Sequence, residues 1–192
     1  MKSQLAINWP SPRELWSIAP REDSLAAELA DRHYSRQTAG AHGFLAAGRC
    51  VVLYHRGPRG AAAWGVVYGV FREVWRWRNT IFRNESGTLS SALIKAATEA
   101  TYIEWERKYG ALPHVWSAIA FEPWLHVATG VQVVVGPVPV PLRTEVDIEA
   151  TRARRSKRHE PGHCYLMAGW RKVREIPRSH GRSAKVELEA PR

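Results

Sequence analysis

Around Asn84-Glu85-Ser86-Gly87-Thr88 the chain changes its hydrophobic period, and this constrains the fold more than any other feature. Before it, a strand-like run from about Val74 to Phe82 sets Trp75 and Trp77 on one face and Arg72, Arg76 and Arg78 on the other, the two-residue alternation of a pleated strand. After it, Leu93, Ala97, Ala100 and then Ile103 or the Glu104-Trp105 pair recur at helical spacing from about Leu89 to Tyr109. Gly110 supplies the stop. Thr88 or Ser90 is the expected N-cap, because a side-chain oxygen there accepts from the open N–H groups of the first turn. A strand that feeds a long helix through a short turn predicts a helix packed on a sheet. Helix N-termini carry partial positive charge and bind phosphates. Arg83, Ser86, Gly87, Thr88, Ser90 and Ser91 are therefore candidate ligands for an anionic cofactor group. An ordinary capped helix explains the same residues without a ligand.

The flanking segments extend this picture. Residues 22–32 read as a helix, with Leu25, Ala26, Leu29 and Ala30 on one face and His33-Tyr34 at its end. Cys50–Tyr54 and Ala61–Val70 read as the two arms of a hairpin around Arg56-Gly57-Pro58-Arg59-Gly60. His114–Phe121 and Leu142–Ile148 are both strand candidates for the position after the long helix, the second being favoured. The Val-rich, Pro-punctuated stretch 130–140 suits an edge or loop. Gly162–Ala168 reads as a short helix, Trp170–Glu175 as a strand, and residues 178–192 as a tail. Together these predict one α+β domain over residues 1–192, in α/β/α layers. Its central sheet is mixed but largely antiparallel and flanked by helices, with 111–141 as an insertion.

A net charge of +10 over 192 residues narrows the partners rather than the fold. It favours a polyanion, DNA above all, or a phosphate-bearing cofactor. Five Lys/Arg fall within 152–158, namely Arg152, Arg154, Arg155, Lys157 and Arg158. They are candidate phosphate contacts, against the alternative of a solvated basic face. The nine Trp are expected mainly in the core, with a base-stacking surface as the other use of such residues. Two Cys make no disulfide framework, and Cys50 reads as a small buried hydrophobe. No apolar run approaches a membrane span or a signal peptide, so a cytoplasmic protein with no membrane partner is expected. Its oligomeric state is not set by the sequence, and a homodimer stays open.

The segment Gly162-His163-Cys164-Tyr165-Leu166-Met167-Ala168-Gly169-Trp170 places a Tyr four residues before a Gly-aromatic pair. It resembles the closing motif of GNAT acetyltransferases, and the order of meander, turn-helix and Tyr helix is also similar to theirs. That resemblance implies a bound acetyl-CoA or related acyl donor, and a Tyr165 that meets the donor sulfur as general acid. A phenol can give a proton or hydrogen bond to a developing thiolate; a half-buried packing Tyr is the alternative. The GNAT turn carries its glycine one position earlier than Gly87 stands after Arg83.

A narrower set of positions resembles the phage DNA-modification family called Mom. These are His33-Tyr34, Ile81-Phe82-Arg83-Asn84-Glu85 with Ser90-Ser91, Thr144-Glu145-Val146-Asp147, and Pro161-Gly162-x-Cys164-Tyr165 with Ala168-Gly169-Trp170. This second resemblance covers about residues 30–175. It implies a carbamoylmethyl group or related acyl unit placed on the exocyclic amine of adenine in DNA, in a bacteriophage or host-cell setting. It further implies that His33, Tyr34, Asp147 and Tyr165 surround the reacting centre while Arg83 with Ser90 or Ser91 holds the donor. Such an amine is a weak nucleophile, so a base such as His33 or Asp147 would assist it. His33 and Asp147 are also candidate iron ligands, since imidazole and oxygen donors suit that metal, although His–Asp pairing is more often structural. Two other classes stay open. One is a GNAT acetylating a small-molecule or protein amine; the other is a non-catalytic nucleic-acid-binding protein on the same scaffold.

Overall fold

The β-rich stretch from Arg49 to Asn84 folds as an antiparallel meander, described in a computed structural model that covers residues 11–33, 40, 43–116, 137–154, 160–179 and 181–192. A four-residue helix α1 (Pro12–Leu15) and a short edge strand β1 (Ser17–Ala19) precede α2 (Ser24–Asp31). Then come β2 (Arg49–Gly57), β3 (Gly60–Phe71) and β4 (Val74–Asn84), followed by the long α3 (Ser90–Tyr109). Further on lie β5 (His114–Trp116), β6 (Pro137–Pro139), β7 (Leu142–Asp147), α4 (Ile148–Arg154), α5 (His163–Met167), β8 (Arg171–Ile176) and β9 (Lys185–Glu189). Seven strands form one sheet in the order β1-β2-β3-β4-β7-β9-β8, while β5 and β6 pair in a separate ribbon. Every pairing in the large sheet is antiparallel except β4 with β7. The chain is thus a mixed α+β structure with a large, mostly antiparallel sheet flanked by helices.

Each sheet face carries its own core. On one face Trp64, Trp77, Leu93, Ala97, Trp105 and Trp170 pack beneath α3 and α5, all under 3% or at 3% exposure. Three indoles dock on α3 through their N–H groups: Trp16 to the Leu93 carbonyl, Trp64 to Thr101 Oγ1 and Trp170 to Thr98 Oγ1. Burying an indole without such a partner would carry a desolvation cost, so the two helix threonines explain how α3 tolerates large rings against it. The helical period resolves to Trp105, since Ile103 is exposed. On the other face α2 buries Ala26, Leu29 and Ala30 against Val52, Ala63, Val67 and Ile81. Cys50 is buried there as expected.

A β-bulge interrupts β4. Gly65 of β3 pairs with Ile81 and Val66 with Asn79, which leaves Thr80 without a partner in the register. An extra residue reverses which face the following side chains take. Trp77 therefore belongs to the α3-side core, Ile81 to the α2-side core, and Phe82 packs on the α3 side again.

Two expectations are corrected. The N-cap of α3 is Leu89, with no side-chain cap bond; Thr88 turns instead to His55, whose Nε2 lies 3.1 Å from its hydroxyl, and Ser90 is the first helical residue. Residues 178–192 are not a tail. They contain β9, which lies between β7 and β8 with Val186 and Leu188 buried. Its two glutamates, which read as solvated charge, pair across strands instead: Glu187 with Arg174 at 2.9 Å and Glu189 with Arg143 at 2.8 Å and with Arg171. Among the described residues no helix is long and apolar enough to cross a membrane.

Candidate functional site

Parallel strands without a crossover ladder along their whole length leave a wedge. β4 and β7 pair only through Trp77 with Leu142 and Arg78 with Arg143. Past that point the bulge redirects β4, and the backbone groups facing the gap lose their ladder partners. The wedge holds a cavity of about 330 Å³, closed by α5 on one side and by the start of α3 at its end.

Tyr165 is the best-anchored residue in it. It is 9% exposed, stands on α5, and donates from its hydroxyl to Asn79 Oδ1 at 2.7 Å. Asn79 is 3% exposed and fully committed. Its Nδ2 donates to the carbonyls of Gly65 (3.1 Å) and Ile81 (2.9 Å), and its own carbonyl accepts from Thr144 Oγ1 at 3.0 Å. These bonds fix which end of the amide faces the phenol. Trp170 and Phe82 pack edge-on to the Tyr165 ring at 5.0 and 6.1 Å. One residue along the bulge, the Thr80 hydroxyl lines the cavity, is buried, and has no hydrogen-bond partner among the described residues. A buried polar group left unmatched in this way is uncommon and is costly unless something else satisfies it.

The α5 helix is placed by Gly162, which caps it at φ +82°. A Cβ there would lie 2.6 Å from Leu188 Cδ1, so glycine is required both for the backbone turn and for the seating on β9.

The β4–α3 turn is an internally bonded unit. Asn84 Nδ2 donates to the Thr88 carbonyl and to Ser90 Oγ, while Asn84 Oδ1 accepts from the Ser86 N–H and hydroxyl. The turn presses on the β2–β3 hairpin, where a Cβ at Gly57 would meet Ser86 at 2.6 Å and one at Gly60 the Glu85 carbonyl at 2.9 Å. Of the six expected donor ligands, Arg83 and Ser90 line the cavity. Ser86 is wholly buried, Gly87 forms the left-handed corner at φ +80°, Thr88 pairs with His55, and Ser91 is half-buried outside the lining. Arg83 is bridged to Glu85 at 2.8 Å, and Arg32 of the α2 end joins the same carboxylate at 3.1 Å. Burial by itself would raise the Glu85 carboxyl, but the two guanidiniums outweigh it and hold it below the usual carboxylate range.

His33 lines the cavity with Tyr165, Arg83 and Ser90. Asp147 is absent from that lining; its carboxylate caps α4 through the Ala150 N–H (2.8 Å) and accepts from Ser183. Tyr34 lies outside the described residues. Among the described residues no group of three or more His, Cys, Asp or Glu stands close enough to hold a metal ion. Of the basic run, Arg152 is exposed on α4 next to the cavity-lining Ala150 and Thr151. Arg154 ends that helix, and Arg155, Lys157 and Arg158 lie outside the described residues.

The sequence reading missed Asn79, Thr80 and the lining pair His163 and Cys164. The parity of the aromatic residues carried a usable signal. Trp75 and Trp77 share a face, yet Phe82, an odd number of residues later, joins the same core. Only an inserted residue between them allows that. Glu145, also in the lining, is bound by Arg78 at 2.5 Å and Lys185 at 3.0 Å. Compared with known proteins, the chain matches no family model, no curated protein and no solved structure.

Proposed function

We propose that this protein is a GNAT-type transferase whose acceptor is an amine of a DNA base, the exocyclic amine of adenine being the reading that the Mom resemblance favours. The observation that carries it is the splayed, bulged β4–β7 pair with a phenol in its mouth and a helix start at its end. Strand edges that diverge offer unpaired N–H and C=O groups to an extended amide chain, the form of a pantetheine-like arm. The orphan Thr80 hydroxyl adds one more polar partner in that wedge, and the first turn of α3, with no side-chain cap, together with Arg83 suits the donor's phosphates. The residues present therefore fit acetyl-CoA or a related acyl donor, which when bound supplies the activated group.

The chain's own part is proton handling and positioning. Such a donor would supply the carbon to which the amine nitrogen bonds and the sulfur that leaves. Tyr165, whose hydroxyl donates to Asn79 Oδ1, would give its proton to that leaving group. His33 and His163 both line the cavity and are the candidates to take the proton that the amine loses. Arg152, the first residue of the basic run, is exposed on α4 beside the cavity-lining Ala150 and Thr151, which supports phosphate contacts near this rim. The base must leave the stack to reach such a cavity.

A second reading, acetylation of a small-molecule or protein amine, is favoured by one observation: Glu145 and Glu160 line the cavity, and carboxylates suit a cationic amine better than a phosphate backbone. Mass spectrometry of nucleosides from DNA of cells expressing the protein, beside cells expressing Tyr165→Phe, decides between the two. A new nucleoside present only with the unaltered protein supports the DNA reading, and its mass identifies the group. Unmodified DNA in both, with acetyl-CoA turnover on small amines, moves the assignment to the second.

A further inference from the structure

Toward the other end of β4, four strand steps of about 3.3 Å and so about 13 Å from Asn79 at the near edge of the wedge, lies a larger groove of about 890 Å³ between the β3–β4 turn and the C-terminal end of α3. Its most unusual feature is Trp75, which is 50% exposed. Large apolar rings left half in water are informative when they are held rather than loose. This one is held. Tyr68 stacks on it at 4.9 Å and 27°, and Tyr68 is itself fixed by a hydrogen bond from its hydroxyl to the His114 carbonyl and by an edge contact to Trp105. Trp105 is 1% exposed. The backbone beneath is pressed close: a Cβ at Gly69 would lie 2.7 Å from the Ala47 carbonyl.

We propose that this groove binds an unpaired nucleobase of single-stranded nucleic acid, stacked on Trp75. The groove's charge selects that occupant. Among the described residues no Asp or Glu lines it, and Arg49 and Lys108 sit beside it, each 5.3 Å from the Tyr109 ring centre. A cationic ligand, the other common guest of an aromatic cage, would face two cations already against the Tyr109 ring that borders the groove. A planar ring with a phosphate attached meets an aromatic face and positive charge together, the combination used for single strands. The volume lies in the range of small-ligand sites, about 300–1,000 Å³. The inference shares a nucleic-acid partner with the proposed function but none of its chemistry. Set four residues along β4 from Asn79, the partner of Tyr165, the groove suits strand that directly flanks the reacting base.

The test uses the full chain and two fluorescent oligomers of equal length and charge, oligothymidylate and its abasic counterpart. Oligothymidylate is expected to bind about tenfold more tightly, the scale of one stacked base. Trp75→Leu, which keeps an apolar contact for Tyr68 but offers no aromatic face, should abolish that preference, and Trp75→Phe should retain most of it. Arg49→Gln should lower the salt slope by about one. Equal binding of the two oligomers by the unaltered protein, or an undiminished preference in folded Trp75→Leu, overturns the proposal. A protein that produces a new nucleoside yet binds both oligomers alike sinks this inference and leaves the transferase reading standing. Trp75-dependent binding without any new nucleoside does the reverse.

Discussion

The Tyr165 hydroxyl donates to the Asn79 side-chain carbonyl at 2.7 Å, and both residues are nearly sealed from solvent. Tyr165→Phe is expected to abolish turnover while the fold persists. The variant leaves Asn79 Oδ1 buried without a donor, a loss of about 1–3 kcal/mol. That corresponds to a melting point lower by about 2–4 °C per kcal/mol for a chain of this size. Full activity in Tyr165→Phe would remove the phenol from the mechanism; complete unfolding would mean that the hydrogen bond is chiefly structural. Asn79→Asp keeps an acceptor for the phenol but sets an oxygen against the Gly65 and Ile81 carbonyls that Nδ2 now serves, so it should lower the melting point and, if the amide positions the proton, also shift the pH profile of turnover.

Gly57 sets the β4–α3 turn against the hairpin. Gly57→Ala should push that turn away from β2, because the new methyl would lie 2.6 Å from both the Ser86 Cβ and its carbonyl oxygen. Overpacking of this kind costs about 1–3 kcal/mol, so the melting point should fall by several degrees. Donor affinity should weaken in the same variant, since Arg83 and Ser90 move with the turn. Calorimetry and donor titration read the two effects separately, and unchanged affinity would detach the turn from donor binding.

Glu145 predicts a pH dependence. Burial pushes its carboxyl up, but the charges of Arg78 and Lys185 and their hydrogen bonds together prevail and hold it below the ordinary value. A depressed folded-state value means that the unfolded chain binds the proton more readily. The stabilisation is therefore complete above the unfolded carboxylate range, about pH 4.3, and is lost as pH falls through the lower folded value. Urea midpoints of Glu145→Gln should lie below those of the unaltered protein at pH 7, with the gap narrowing towards pH 3. A gap that stays constant over that span would show that the carboxylate's charge is immaterial.

Reversing the charge at Arg154, Arg155 and Lys157 should flatten the salt dependence of duplex DNA binding. Each phosphate contact contributes about 0.9 to the slope, so three lost contacts reduce it by about two to three. An unchanged slope would make the run a bystander.

The elements legible in the sequence were those in which one period dominates. The β2–β3 hairpin shows as two apolar runs around a Gly-Pro turn, α3 through its Leu93–Ala97–Ala100 stripe, and α5 through the Gly162 start. β9 was illegible because its inward residues, Val186 and Leu188, alternate with glutamates whose cationic partners are distant in sequence: Arg143, Arg171 and Arg174. The capping of α3 was misread because Thr88 serves His55 rather than the helix. For the site, Tyr165, His33, Arg83 and Ser90 do share one cavity. Asp147 entered the candidate site through the Mom resemblance, and the bond of its carboxylate to the Ala150 N–H at the start of α4 has no signature in a string of letters. Asn79 shares the inward face of Trp77, two residues earlier, but an amide on a strand rich in Arg and Trp gives no local sign of the partner, Tyr165, that lies 86 residues away.

The interleaving of β9 also sets an order of assembly. β7 and β8 precede it in the chain, yet among the described residues β8 has no neighbour in the sheet except β9. While a ribosome is still short of residue 185, β8 has nothing to join and one edge of β7 is open, a state prone to pairing with other chains. The seat of α5 on Leu188 is missing over the same interval. The α5 side of the wedge, Tyr165 included, therefore lacks part of its seating until β9 arrives.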